Sequence, residues 1–123
     1  MKSIILTPFF LLLLISSGFA LSTMDKLSRS TDRDSVQVFM GFDKPPRYRT
    51  KITGKRIDIM LENTQISESF QPISEDEKLI KFLQRRKDNS LELSFFFRYN
   101  PQRVTVKSID QTTLVADILL GNR

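Results

Sequence analysis

The sequence predicts an all-β protein, a sandwich of two similar four-stranded halves. Two observations lead to this prediction. Short runs in which apolar and polar residues alternate recur along the chain, separated by turn residues, without a long helical pattern. The pattern of residues 35–63 then recurs at residues 90–122, as an internal duplication would produce. Many short strands at regular spacing are typical of sandwiches.

The two copies match residue by residue along their first strand. Each has four apolar residues and then a proline at one constant spacing: Val36, Val38, Met40, Phe42 and Pro46 against Leu91, Leu93, Phe95, Phe97 and Pro101. Residues 58–61 match residues 117–120 after a short slippage. Chance similarity between two strand-rich segments is the alternative, because alternation alone generates weak matches.

The chain begins with a predicted leader. An apolar run at residues 4–15 follows a single lysine, and the small residues Gly18 and Ala20 then supply a cleavage site. An uncleaved membrane anchor is the alternative, but as a helix the run would rise only about 18 Å, short of the roughly 30 Å hydrocarbon core. We expect a signal peptide at residues 1–20 and one exported domain at residues 21–123, without a membrane span in the mature chain.

The composition offers few groups for catalysis. The chain has no histidine and no cysteine, which removes the usual general base, the usual zinc ligands and any disulfide. The acidic run at residues 75–77 is predicted to be a solvated turn. We expect no enzymatic activity, no metal site and no cofactor. A net charge of +5 suits nucleic acid, but the cations alternate with acids and export argues against that partner.

The first half contains four predicted strands. A weak strand at residues 24–29 precedes residues 36–42, whose strict alternation gives one inner face. The prolines that follow end this strand, because proline cannot donate to a ladder. Residues 48–52 and 57–61 form the next two strands, joined by a tight turn at Gly54.

Residues 75–87 allow two interpretations. Ser74 and Glu77 have the spacing of a capping box, which favours a helix. Residues 87–90 resemble a hairpin turn, and correspondence with the first half favours a strand that begins near Leu79. We expect the strand.

The second half completes the fold. Residues 64–74 are predicted to be a connection, pinned to the core by Phe70 and Ile73. Further strands follow at residues 91–98, 103–108 and 114–120. Their predicted inward residues are Leu91, Leu93, Phe95, Phe97, Val104, Val106, Leu114, Ala116, Ile118 and Leu120. Two copies of a four-stranded unit would supply two sheets packed face to face.

Residues 36–67, VQVFMGFDKPPRYRTKITGKRIDIMLENTQIS, resemble the start of an AMIN domain. This module occurs at the N-terminus of periplasmic N-acetylmuramoyl-L-alanine amidases and in type IV pilus secretins. The family's alternating strand, its proline, its tyrosine and its aspartate-bearing strand match residues 36–43, Pro46, Tyr48 and residues 56–63. LIKFLQRRKDNSLELSFFF is similar to the family's second half.

The resemblance implies a non-enzymatic periplasmic module of the cell envelope. Such a module binds peptidoglycan weakly and helps to localise or anchor envelope machinery. The alternative is a protein–protein adaptor for a type IV pilus or secretion secretin, or for another envelope complex. No amidase or secretin domain occurs in these residues, so we expect a stand-alone module, with the front of a longer protein as the alternative.

The resemblance directs attention to exposed basic and aromatic residues. Peptidoglycan stems carry carboxylates, which suit the planar fork of arginine. The candidate binding residues are Arg47, Tyr48, Arg49, Lys51, Arg85 and Arg86. The alternatives are a solvated strand face that prevents aggregation and, for Tyr48, a half-buried turn anchor. Phe39 and Phe96 lie on the polar sides of their strands, where they form a contact patch for a partner or are covered by residues 64–73.

Overall fold

A computed structural model describes residues 21–121, which form nine β-strands and no helix. The strands are β1 (Ser22–Thr31), β2 (Ser35–Phe42), β3 (Tyr48–Thr53), β4 (Arg56–Leu61), β5 (Thr64–Ile66), β6 (Leu79–Lys87), β7 (Ser90–Phe97), β8 (Pro101–Ser108) and β9 (Thr113–Leu120). The predicted signal peptide, residues 1–20, lies outside the described residues, as do residues 122–123. Residues 21–121 contain no helix that is long and apolar enough to cross a membrane.

The strands form two sheets, which confirms the all-β prediction. The five-stranded sheet has the order β5-β1-β2-β9-β8, and the four-stranded sheet has the order β3-β4-β7-β6. Neighbouring strands are antiparallel, except that β5 is parallel to β1. The predicted connection at residues 64–74 therefore begins with a short strand. Ile73 is buried in the core and Phe70 packs against it, as predicted.

Alternation sends every second side chain into one core, because successive residues of a strand point to opposite faces. The core takes side chains from both sheets, as in a β-sandwich: Met24, Val36, Val38, Met40, Phe42, Leu114, Ala116, Ile118 and Leu120 from one, and Ile57, Ile59, Leu61, Leu79, Leu91, Leu93, Phe95 and Phe97 from the other. Val104 and Val106 are only partly buried, because β8 is an edge strand. Each fully buried apolar side chain contributes about 1.5–3 kcal/mol to stability.

The strand interpretation of residues 75–87 is confirmed, and the helix is wrong. β6 pairs with β7 along its length, and the Phe82 ring lies 5.1 Å from the ring of Phe95. The Asp76 carboxylate accepts hydrogen bonds from the backbone N–H groups of Lys78 and Leu79, so it closes a turn before β6 rather than capping a helix. Pairing and core burial therefore override the local helix signals.

The two sheets do not correspond to the two halves of the chain. The first half supplies β1 and β2 to the five-stranded sheet and β3 and β4 to the four-stranded sheet, and the second half crosses between the sheets in the opposite direction. If β1, β2, β3 and β4 are exchanged for β6, β7, β8 and β9 respectively, the strand order of one sheet becomes that of the other, apart from β5. Each half of the chain therefore contributes two strands to each sheet, apart from β5.

Candidate functional site

The outer face of the four-stranded sheet contains more basic side chains than the outer face of the five-stranded sheet. Ile57, Ile59 and Leu61 of β4 point into the core, so Arg56 and Asp58, at the alternate positions of the strand, point outward. Register with β4 and β7 places further residues on the same face. The basic face is defined here by the cations Arg49, Lys51, Arg56, Lys81, Arg85 and Lys87, together with the carboxylates Asp58 and Glu92.

The two carboxylates sit at the centre of the basic face, on its inner strands. The side chains of Asp58 and Glu92 are each 12% exposed. Arg56 Nε lies 3.1 Å from Asp58 Oδ2, and Ser94 Oγ donates to Asp58 Oδ1 at 2.6 Å. The Arg85 guanidinium donates to Glu92 Oε1. Half-buried carboxylates are therefore neutralised by arginines, as burial of charge requires.

Cations remain once the carboxylates are paired. Arg49 lies 3.9 Å from Glu62, a loose and exposed ion pair. Among residues 21–121, the ion pairs leave Lys51, Lys81 and Lys87 without a carboxylate partner, and Lys81 Nζ lies 5.7 Å from the centre of the Phe96 ring. The basic face therefore keeps an excess of positive charge at its margins.

Two adjacent shallow depressions give the basic face its shape. One of about 450 Å³ is lined by residues that include Arg49, Lys51 and Met60. The other, of about 270 Å³, is lined by residues that include Leu83 and Phe96. Arg56, Asp58 and Glu92 line both, so the depressions adjoin along the centre of the sheet.

The cations of the basic face give it a positive electrostatic potential. The hydrogen bond to Glu92, the charge of Glu92 and the charge of Asp58 raise the pKa of Arg85, so its guanidinium remains charged. No cluster of three or more metal-ligating side chains occurs within the described part of the chain. Exposed cations around paired carboxylates attract anions.

The predicted binding residues separate into two groups. Arg49, Lys51 and Arg85 lie together on the basic face, although they come from opposite edge strands. Arg47 is exposed just before β3, and its carbonyl accepts from the Glu62 N–H at 2.9 Å. Arg86 is paired with Leu91 in the inward row, and it donates to the Thr64 carbonyl at 3.4 Å.

Tyr48 occupies the inward row of β3 rather than the basic face. It is paired with Leu61, and its hydroxyl donates to the Val106 carbonyl of β8 at 3.1 Å. The tyrosine thereby connects the edges of the two sheets. The side chain stays 39% exposed, so it is the hydrogen bond rather than burial that would make Tyr48 an anchor.

We expect Tyr48→Phe to lower the free energy of unfolding by about 1 kcal/mol. The substitution removes the hydroxyl and its hydrogen bond to the Val106 carbonyl but keeps the aromatic ring. Urea unfolding measures this change. Tyr99→Phe is the matched control, since no hydrogen bond of the Tyr99 hydroxyl occurs among the described residues, and it should change stability little. Equal effects of the two substitutions would refute the anchor.

Phe39 and Phe96 lie on the outer faces of different sheets, so they do not form one patch. Phe39 is half-buried and paired with Val115, which is 3% exposed. Phe96 belongs to the surface of the basic face, between Arg56 and Lys81 in the strand register. Residues 64–73 direct Ile73 and Phe70 into the core.

Sequence reasoning missed Asp58, Lys81 and Glu92 as members of the basic face. Each occupies a polar position of a predicted strand, so the signal for its outward direction was present. Their proximity depends on which strands are neighbours. Cross-strand register is set by the whole sheet and is not visible in any one strand.

A second charged cluster fixes the segment before β6 to β1. Asp76 Oδ2 lies 2.7 Å from Arg29 Nη1 and accepts from Thr31 Oγ1 at 2.8 Å. Arg29 also donates to the Ser74 carbonyl at 3.1 Å. The prediction of a solvated turn at residues 75–77 is wrong for Asp76. Burial acts to raise the pKa of Asp76, but the hydrogen bonds from Leu79, Thr31 and Lys78 and the charge of Arg29 lower it overall.

Comparisons with known proteins do not assign the chain to a family. No protein-family model matches it, and no curated protein matches its sequence. The fold and the basic face are therefore the observations from which a function is argued.

Proposed function

We propose that this protein is a non-enzymatic, AMIN-like module of the cell envelope. It binds peptidoglycan weakly and helps to localise or anchor envelope machinery. The observation that carries the proposal is the basic face, where six cations surround two central carboxylates on an otherwise open sheet surface. The predicted signal peptide at residues 1–20 supports a periplasmic location.

The chemistry of the basic face fits a carboxylate-bearing polymer. Peptide stems of peptidoglycan present carboxylates at intervals. Lys51 lies on one edge strand of the face, and Lys81 and Lys87 lie on the other. Each exposed ion pair contributes at most about 1 kcal/mol, so binding to one stem is weak. A polymer offers many stems at once, and multivalent contact raises the overall affinity.

The proposal extends to the origin of the fold. We infer an internal duplication, in which β1 to β4 and β6 to β9 are descendants of one unit. It is supported by the matching strand orders and by the repeated sequence pattern at residues 35–63 and 90–122. The resemblance of residues 36–67 to an AMIN domain supports the link to cell-wall modules.

A protein–protein adaptor for a pilus or secretion secretin, or for another envelope complex, is the second candidate. The observation that favours it is the exposed Leu83 beside the half-buried Phe96, which adds an apolar area to the basic face. Aromatic and aliphatic side chains are typical of the centre of protein interfaces. Binding of this kind would resist salt.

Co-sedimentation of the purified protein with protein-free peptidoglycan sacculi, across a salt series, tests the proposal. We expect pelleting at low salt that fades as the Debye length falls below about 10 Å. Arg49→Ala combined with Lys51→Ala should weaken pelleting, because both side chains lie on the basic face. Failure to pellet at low salt would contradict wall binding and favour the adaptor.

A further inference from the structure

The open side of β6 is the longest unpaired edge of the described sheets. β6 ends the four-stranded sheet and pairs only with β7. The segment before β6 covers only the first residue of this edge, where the Asp76 N–H donates to the Leu79 carbonyl at 2.9 Å. From Ile80 to Lys87, no backbone partner on the open side occurs within residues 21–121.

The turn between β6 and β7 determines which backbone groups face outward. Asp88 and Asn89 form a two-residue turn that closes on the pair Lys87 and Ser90. Such a turn closes on a hydrogen-bonded pair, and hydrogen-bonded and non-hydrogen-bonded pairs then alternate along an antiparallel ladder. Phe82, Gln84 and Arg86 therefore direct their N–H and carbonyl groups to the open side.

The side chains of this edge are basic with an aliphatic centre. Lys81, Arg85, Arg86 and Lys87 are exposed, and β6 contains no acidic residue. Ile80 is 43% exposed and Leu83 is 46% exposed. We propose that the open edge of β6 binds an extended acidic segment of another polypeptide, which adds a strand to the four-stranded sheet.

Charge selects the occupant of this edge. Pairing of β6 with β6 of a second copy would bring the same cations against each other, and like charges on adjacent strands are destabilising. An acidic strand neutralises them instead. The site takes a backbone rather than a wall polymer, so it does not depend on the proposed peptidoglycan binding.

The other edge strands are less suited to strand addition. β5 has three residues, β3 has six, and β8 begins at Pro101 with an irregular register before Arg103. Proline and bulges are devices that protect edges from pairing. β6 has nine residues and lacks proline, and its irregularity lies at its start, between Leu79 and Lys81.

Fluorescence anisotropy with a labelled peptide tests the proposal. The probe is the heptapeptide Glu-Glu-Glu-Thr-Val-Val-Glu, whose acids would lie opposite Lys81, Arg85, Arg86 and Lys87 in an antiparallel register. We expect saturable binding. Gln84→Pro should weaken it by about tenfold, because proline lacks the outward N–H and the complex loses one hydrogen bond. Gln84→Ala is the matched control and should bind like the wild type, because it keeps the outward N–H. A peptide with lysine in place of glutamate should not bind.

A second readout does not require a variant to fold. The same heptapeptide, N-methylated at the three alternate residues that would lie opposite Phe82, Gln84 and Arg86, keeps its charge but loses three backbone donors. It should bind more than about tenfold more weakly, a larger loss than Gln84→Pro causes. Equal binding of the methylated and unmethylated peptides would overturn strand addition in favour of charge attraction alone. Failure of the acidic peptide to bind, or a dimer that it does not dissociate, would also overturn the proposal.

Discussion

Replacing Asp76 by alanine lowers the free energy of unfolding by about 2–3 kcal/mol, which we expect to be the largest effect of any single substitution of an acidic residue in this chain. The carboxylate accepts from Arg29, Thr31 and the N–H groups of Lys78 and Leu79. Its removal leaves the Arg29 guanidinium, whose side chain is 15% exposed, without its carboxylate. Loss of one partner of a partly buried, hydrogen-bonded charge pair costs this much. Urea unfolding at neutral pH measures it.

Glu75→Ala is the matched control for this prediction, since it removes a neighbouring carboxylate and changes the net charge equally. Glu75 is exposed and has no ion pair among the described residues. We expect a change in unfolding free energy of less than about 0.5 kcal/mol. A Glu75→Ala cost as large as that of Asp76→Ala would show that general charge, and not the cluster with Arg29, is responsible.

The same carboxylate makes stability depend on acid pH. Its pKa is lowered in the folded protein from an ordinary value of 3.8, so the unfolded chain binds the proton more readily. The contribution of Asp76 is complete above that value and is lost as the pH falls through the folded pKa. The stability difference between wild type and Asp76→Ala should therefore shrink when unfolding is repeated at about pH 3. A difference that stays constant between neutral pH and this pH would contradict the assignment.

Inverting two lysines of the basic face, Lys51→Glu with Lys81→Glu, reduces peptidoglycan binding at low salt by about tenfold or more. Each inversion removes an attraction of up to about 1 kcal/mol and adds a repulsion of similar size. The two lysines come from opposite edge strands, so the double variant tests the face rather than one strand. Co-sedimentation with sacculi at several protein concentrations gives the affinities.

The opposite side of the molecule supplies a charge-matched control. Lys26 and Lys107 are exposed on the outer face of the five-stranded sheet, paired with Gly41 and Val115. Lys26→Glu with Lys107→Glu changes the net charge by the same amount, yet it should leave binding within about twofold of the wild type. Equal loss in both double variants would show that net charge, and not the basic face, attracts the wall.

The period of the strands could be predicted because it depends only on which residues are apolar. Alternation at residues 36–42 and 91–98 identified the buried residues of β2 and β7, which the structure confirms. It also put Arg49 and Lys51 on one side of β3. These are properties of a single strand, and the local sequence contains them.

The arrangement of the strands could not be predicted in the same way. Arg85 and Arg86 are adjacent in sequence, but only register with β7 shows that Arg85 belongs to the basic face and Arg86 to the inward row. Asp76 looked solvated because its partners Arg29 and Thr31 are distant in the chain. Contacts between distant segments depend on the order of the strands in a sheet, and this order cannot be predicted from the sequence of any one strand.

Mapping of the bound surface by nuclear magnetic resonance tests the central claim most directly. Soluble peptidoglycan fragments would be titrated into isotope-labelled protein while the backbone amide signals are followed. If the fragments bind at the basic face, the signals of Lys51, Asp58 and Ser94, which form one row across β3, β4 and β7, shift most. Shifts confined to Gln37 and Asp117 on the outer face of the five-stranded sheet, or no shifts at low salt, would contradict peptidoglycan binding by the basic face.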